Sequence, residues 1–314
     1  MNYSEDNIIA GSYIALGILN SGIKNDADAA FAILSDKLES ATKQSHKIGI
    51  LMGLSLAYAG SARTDLLDVI TPIILDSDNS IELQAIASLS IGLIFCGTCD
   101  QDAAEAITQI LMEKEEKDLE HSFTRIFALG LGLLYLGQQS LVEASLEVIK
   151  CLPHQNMSDF VSLIMETCAY TGSGNVLQIQ KLLHVCAEHK EDEKESIKQI
   201  SAVLGIALIG FGEDIGQEMC LRSMNHLIQY GEPIIKRTVP LAIGFLRISN
   251  PEPSTMDLLN KLAYDSDKQV SMSAVLALGL VGAGTNNSRL FQHLKNLATY
   301  YNSSPNQLFV VRIA

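Results

Sequence analysis

A short apolar segment that ends in glycine recurs along the chain every 35 to 40 residues. Clear examples read GLSLAYAG, which ends at Gly60, and GLGLLYLG, which ends at Gly137. A period of this length is typical of proteins in which one supersecondary unit stacks on the next. The sequence therefore predicts a single array of about eight repeats over residues 1–314. The repeat ends fall at Gly22, Gly60, Gly97, Gly137, Gly172, Gly212, a degenerate Ser249, and Gly284.

Each repeat end predicts a pair of helices joined by a turn. The terminal glycine follows an apolar segment, at a position where a left-handed helix cap is wanted and glycine adopts it without strain. A second, amphipathic pattern follows, for example at residues 65–70 and 177–183, with apolar residues three and four positions apart. Residues 76–80 and 250–254 are rich in Asp, Asn, Ser and Pro, which favour loops and helix starts.

Further glycines lie inside the predicted first helices, at a cost of about 1 kcal/mol each relative to alanine. Close approach of neighbouring helices can offset this cost. We therefore expect the first helices to form a crowded inner layer and the more polar second helices to form the outer surface. The fold class predicted is all-α, with α–α hairpin repeats in a curved solenoid or part of an α-toroid. The internal glycines are Gly17, Gly53, Gly92, Gly130, Gly132, Gly205, Gly244 and Gly279.

Two segments depart from the repeat. Residues 188–196 are almost all charged or polar, which predicts a solvated, mobile insertion. Residues 308–314 read like the start of another first helix, so we expect a truncated further repeat and a chain that is part of something longer.

The net charge and the length of the apolar runs disfavour two classes of partner, nucleic acids and membranes. A formal net charge of −14 disfavours nucleic acid as a partner. No apolar run approaches the roughly 18–20 residues that cross a bilayer, so we expect no membrane association. The scattered cysteines predict free thiols in a reducing compartment, here the cytoplasm and nucleus.

No motif predicts catalysis. Cys96-Gly97-Thr98-Cys99 has the C-x-x-C spacing, but no second pair completes a metal site and Cys96 lies on a predicted first helix. Enzymes built as α/α-toroids need carboxylates and stacking aromatic residues at the mouth of the barrel, whereas the first helices here end in glycine. We therefore expect no catalytic residue, cofactor or metal, and a non-enzymatic protein that holds other proteins.

The glycine-rich repeat resembles the proteasome/cyclosome repeat family. This family includes two large non-ATPase subunits of the proteasome regulatory particle and a subunit of the anaphase-promoting complex. Loop stretches such as GAGTNN at 282–287 and CAYTGSGNV at 168–176 resemble the regulatory subunit 2 branch in particular. The alternative assignments are a scaffold of the anaphase-promoting complex and the sister proteasome subunit.

The resemblance implies a scaffold and receptor in ubiquitin-dependent protein degradation. Its expected partners are ubiquitin chains, the ubiquitin-like domains of shuttle factors and deubiquitinases, the proteasome ATPases and other regulatory-particle subunits.

The resemblance also implies a docking face on the second helix that follows Gly97. The family pattern of acidic or amide residues falls on Asp102, Gln109 and Glu113, with Asp78 in the preceding loop. At about 100° per residue, positions 102, 109 and 113 share one helix face. We expect Ala106 and Ile110 to supply apolar contacts beside these residues, and the amide of Gln109 to weaken the acidic face.

Overall fold

The computed structural model describes residues 3–22, 28–114, 116–119, 121–188 and 193–314. These residues form helices, turns and loops without a strand, which confirms the predicted all-α hairpin repeat. The chain divides into two compact units, residues 1–169 and 170–314.

The described residues of unit 1 form ten α-helices. Their bounds are α1 (Tyr3–Leu19), α2 (Ala29–Ser40), α3 (Gln44–Ala57), α4 (Thr64–Leu75), α5 (Ile81–Ile94), α6 (Gln101–Glu113), α7 (Glu116–Leu119), α8 (Thr124–Leu134), α9 (Val142–Lys150) and α10 (Gln155–Ala169). The short α7 and a 3₁₀ turn at Gln139–Leu141 were not predicted.

The first helices of unit 1 pack against one another in chain order, α1 on α3, α3 on α5, α5 on α8, and α8 on α10. A Cβ atom placed on Gly92 of α5 would lie 2.5 Å from the carbonyl oxygen of Gly130 in α8. One placed on Gly49 of α3 would lie 2.7 Å from the carbonyl oxygen of Ala10. The glycines therefore permit backbone-to-backbone contact, as the sequence predicted, and the second helices pack onto this layer.

The turns that end the first helices also join neighbouring repeats. Gly97 has φ = 70°, in the left-handed region, and its N–H donates to the carbonyl oxygen of Leu133 at 3.0 Å. The N–H of Cys99, which also has a positive φ, donates to the carbonyl oxygen of Leu134 at 3.1 Å. Leu134 ends α8, so the bond from Cys99 satisfies a carbonyl that the helix end would leave unpaired, whereas Leu133 O also accepts from the N–H of Leu136 at 3.2 Å.

Unit 2 repeats this arrangement. Its helices are α11 (Val176–Ala187), α12 (Glu193–Gly210), α13 (Asp214–Tyr230), α14 (Pro233–Leu246), α15 (Pro253–Leu262), α16 (Lys268–Gly282), α17 (Ser288–Tyr300) and α18 (Pro305–Ile313). The first helices α12, α14, α16 and α18 pack in series. The degenerate repeat end keeps the turn, since Ser249 has φ = 56° and its N–H donates to Leu280 O at 3.1 Å.

The mobile insertion at residues 188–196 and the truncated further repeat at residues 308–314 remain predictions. In the charged segment 188–196, residues 189–192 lie outside the described residues, and α12 begins at Glu193. Residues 308–314 lie at the end of α18, which packs on α16 and α17. Among the described helices, none is long and apolar enough to cross a membrane.

A candidate docking groove between helices α6 and α9

Helix α6 is an amphipathic second helix with one face fixed in the core. Its N-cap, Asp100, accepts a hydrogen bond from the N–H of Ala103 at 2.9 Å, which satisfies one of the free donors of the first turn. Ala103, Ile107 and Leu111 are fully buried and lie four residues apart, on one side of the helix. The opposite side therefore faces solvent, and the acidic residues of α6 lie there.

Three of the four predicted docking residues share that exposed side. Asp102, Gln109 and Glu113 are all exposed, and Gln109 Nε2 donates to Glu113 Oε1 at 2.8 Å. Asp78 is exposed in the loop between α4 and α5, where its N–H donates to Asp76 Oδ1 at 3.1 Å. Within the described part of the chain, no hydrogen bond or ion pair joins Asp78 to α6. The structure thus brings Gln109 and Glu113 into contact and leaves Asp78 on a separate loop.

The predicted apolar contributors on α6 were wrong. Ala106 and Ile110 are only 7% and 3% exposed, so a partner cannot reach them. They belong to the buried stripe with Ala103, Ile107 and Leu111, because steps of three and four residues place all five on one side. The spacing of that stripe was present in the sequence and is the signal that should have excluded them.

The exposed apolar surface comes instead from a groove between α6 and α9, which we name the α6–α9 groove. It has a volume of about 670 Å³. Its apolar walls include Met112 on α6 and Val148 on α9, which are 42% and 48% exposed. Sequence analysis missed it because the wall on α9 belongs to the next repeat. Its lining residues are Gln101, Ala104, Glu105, Thr108, Gln109, Met112, Glu113, Leu131, Tyr135, Ala144, Ser145, Val148, Ile149 and Met165.

The floor of the α6–α9 groove consists of buried side chains, and the Tyr135 hydroxyl among them has a hydrogen-bond partner. Leu131 and Met165 are buried beneath it. The hydroxyl of Tyr135 lies 2.6 Å from the Ser145 hydroxyl, so the polar end of the ring has a hydrogen-bond partner. The floor therefore closes the groove with buried apolar side chains and leaves the Tyr135 hydroxyl paired.

The rim of the α6–α9 groove is acidic. Glu105 and Glu113 line it together with Gln109, and the lining residues include no lysine or arginine. Glu105 was not predicted, although it precedes Gln109 by four residues, one helix turn. Asp102 lies outside the groove lining, two turns before Gln109 along the same helix side. The combination of an apolar channel and uncompensated carboxylates suits a partner with an apolar patch and basic neighbours.

The C-x-x-C pair near α6 does not resemble a reactive dithiol. Cys96 lies in the turn after α5, and not on the first helix as predicted. Partial burial raises the pKa of both Cys96 and Cys99, which disfavours the thiolates that metal binding and redox chemistry require. No group of metal-ligating side chains was found among the described residues.

Comparison with known proteins agrees with this architecture. Residues 273–306, which span most of α16, all of α17 and the first two residues of α18, match the model of the proteasome/cyclosome repeat family. Together with the glycine-layered hairpins, this match places the chain in the class of proteasome/cyclosome-repeat proteins.

Curated relatives define the family more narrowly. The chain is 46% identical over 314 residues to the 26S proteasome regulatory subunit rpn1 of Schizosaccharomyces pombe and 44% identical over 316 residues to rpn-1 of Neurospora crassa. It is 45% identical over 313 residues to the 26S proteasome non-ATPase regulatory subunit 2 homolog A of Arabidopsis thaliana. The alignments cover 99% of this chain and 35% of each relative, so the chain spans about a third of their length. The chain belongs to the family of this proteasome regulatory subunit.

Proposed function

We propose that the protein is a non-catalytic scaffold and receptor of the proteasome regulatory particle, and that the α6–α9 groove docks ubiquitin and ubiquitin-like domains. Family membership supports the first part, because the relatives are named as regulatory, non-ATPase subunits of the 26S proteasome. The apolar groove with an acidic rim carries the second part. The remaining proposed partners are the proteasome ATPases and other regulatory-particle subunits.

The chemistry of the groove matches that of ubiquitin. Ubiquitin and its relatives present a small apolar patch surrounded by basic residues. In the proposed complex, that patch contacts Met112 and Val148, while basic side chains pair with Glu105 and Glu113. Asp102 extends the acidic strip along α6 beyond the groove. Each such exposed charge pair contributes roughly 0.2–1 kcal/mol, so single contacts are weak and chains of ubiquitin gain by multivalency.

The proposal is tested by titrating isotope-labelled ubiquitin with the protein and following ubiquitin chemical shifts. We expect shifts in the apolar patch of ubiquitin, and weaker binding at high salt because exposed charges are screened. The double variant Asp102→Arg, Glu113→Arg should lose most of the binding. A separate Met112→Ala variant should weaken binding without changing its salt dependence.

A matched control reverses two exposed acidic residues elsewhere. Asp214 lies in the first turn of α13, as Asp102 does in α6, and Asp257 is exposed on α15. The variant Asp214→Arg, Asp257→Arg therefore makes the same change in net charge. Ubiquitin affinity that falls equally in both double variants would show a general charge effect and refute the assigned groove.

A further inference from the structure

Unit 2 contains a groove built in the same register as the α6–α9 groove. This α13–α15 groove, of about 230 Å³, lies between two successive second helices and over the end of the first helix α14. Glu218 and Arg222 line it from the fifth and ninth positions of α13, the positions that Glu105 and Gln109 occupy in α6.

The floor of the groove is also in register. Ile243 lies six residues before the repeat end at Ser249, as Leu131 does before Gly137. Arg247 lies two residues before Ser249, where Tyr135 occupies the floor of the first groove. The repeat has therefore placed two arginines where the α6–α9 groove has an amide and a tyrosine.

Both arginines retain hydrogen-bonding capacity. The side chain of Arg222 is 84% exposed, and its Nη2 lies 3.8 Å from Glu218 Oε2, beyond hydrogen-bond distance. The side chain of Arg247 is 15% exposed, and its Nη2 pairs with Glu252 Oε2 at 3.2 Å. Its Nε is buried without a hydrogen-bond partner. Since a guanidinium carries five N–H donors, one carboxylate does not saturate it.

We propose that the α13–α15 groove is a second docking site, which receives carboxylate side chains of an acidic protein segment through Arg222 and Arg247. The internal pairing of Arg247 with Glu252 shows that a carboxylate reaches this guanidinium at the groove, and an incoming carboxylate competes with Glu252 for it. Arginine binds a carboxylate through two parallel N–H donors, so the contact is specific in geometry as well as favourable in charge.

The size and charge of the surroundings favour a protein segment over other anions. A volume of about 230 Å³ is below the roughly 300–1,000 Å³ of sites that enclose small molecules, but it accommodates side chains. The formal net charge of −14 opposes long polyanions such as nucleic acids over most of the surface. A short acidic segment can place its carboxylates at the two arginines, where they compete with Glu218 and Glu252, which also line the groove.

The test measures binding of a fluorescein-labelled hexaglutamate peptide to the whole chain by fluorescence anisotropy. We expect Arg222→Glu to weaken binding by about tenfold. Arg289→Glu, an equal charge change at an exposed position of α17, should change the affinity by less than about twofold. Glu252→Gln should strengthen binding several-fold because it releases Arg247 from its internal partner.

The proposal would be overturned by no binding of the peptide by the unmodified chain, by equal losses in the Arg222 and Arg289 variants, or by unchanged or weaker binding after Glu252→Gln. Preferential binding of a labelled oligonucleotide over the peptide would also overturn the proposal, because the site would then bind phosphate groups in preference to carboxylates. Circular dichroism of each variant confirms that the helices are retained.

Discussion

Replacing Gly92 with alanine would force helix α5 away from α8. The new Cβ would lie 2.5 Å from the carbonyl oxygen of Gly130 and 2.8 Å from its Cα atom, closer than Cβ atoms approach other atoms. Both obstructing atoms belong to the backbone, so no side chain can rotate to make room. The helices must separate by nearly an ångström, which weakens dispersion contacts along both of them.

The magnitude follows from two opposing effects. Overpacking of a core costs about 1–3 kcal/mol, and a backbone obstruction belongs at the upper end of that range. Alanine recovers about 1 kcal/mol of helix propensity relative to glycine. We therefore expect the free energy of unfolding to fall by about 2 kcal/mol, measured by urea denaturation followed by circular dichroism.

Gly11 provides a control with the opposite sign. It lies inside α1, and a Cβ atom placed there would meet nothing within 4 Å. Gly11→Ala therefore gains helix propensity without a clash, and should stabilise the protein by up to about 1 kcal/mol. If Gly92→Ala and Gly11→Ala shifted stability in the same direction, the glycines would not be present for close helix approach.

Three further predictions concern the turns, the thiols and the ion pairs. Gly97→Ala should cost about 1–2 kcal/mol in urea denaturation because its φ of 70° is strained for residues with a Cβ, and an unchanged midpoint would contradict this. Exposed Cys151 should react with maleimide within minutes at pH 8. Burial raises the pKa of Cys168 to about 12 and should protect its thiol until the protein unfolds. Equal labelling rates of the two cysteines in mass spectrometry would refute this. A hydrogen bond from Arg237 lowers the pKa of Asp267, so the carboxylate should stabilise the fold above pH 4 and lose this effect as the pH falls through its lowered value. Asp267→Asn should flatten that part of the stability profile, and an unchanged acid dependence would contradict the assignment.

The helices and the conformation of the glycines that end them could be predicted because both depend on local sequence. A glycine at the end of an apolar helical segment is typical of a left-handed helix cap, and Gly60 and Gly97 adopt this conformation. The links between repeats could not be predicted in this way. Ala62 and Cys99 also take positive φ values, to donate to the last carbonyls of the next first helix. Neither residue type signals that conformation, since the energy that holds it comes from another repeat.

The candidate site was predictable to the extent that it lies on one helix. The periodicity of α6 placed Asp102, Gln109 and Glu113 on a common exposed side, although the identity of these residues as a docking face came from the family resemblance. The apolar half of the α6–α9 groove could not be read from α6, because Val148 is contributed by α9. A groove between helices needs the spacing of two repeats, which a single amphipathic pattern does not contain.

The two grooves show how a repeated backbone can support different recognition chemistry. In each unit a groove lies between two second helices and over the end of one first helix, and that first helix packs through a glycine, Gly130 in α8 and Gly244 in α14. The residues that line each groove lie on the exposed side of that packing, and substitution there leaves the glycine contacts intact. Arg247 lies where the first groove has Tyr135, and the lining changes from an apolar channel with an acidic rim to one that contains two arginines and two glutamates. Repeats of this kind can therefore present different chemistry in different grooves, provided that substitutions fall on the groove lining and the glycines of the first helices are retained.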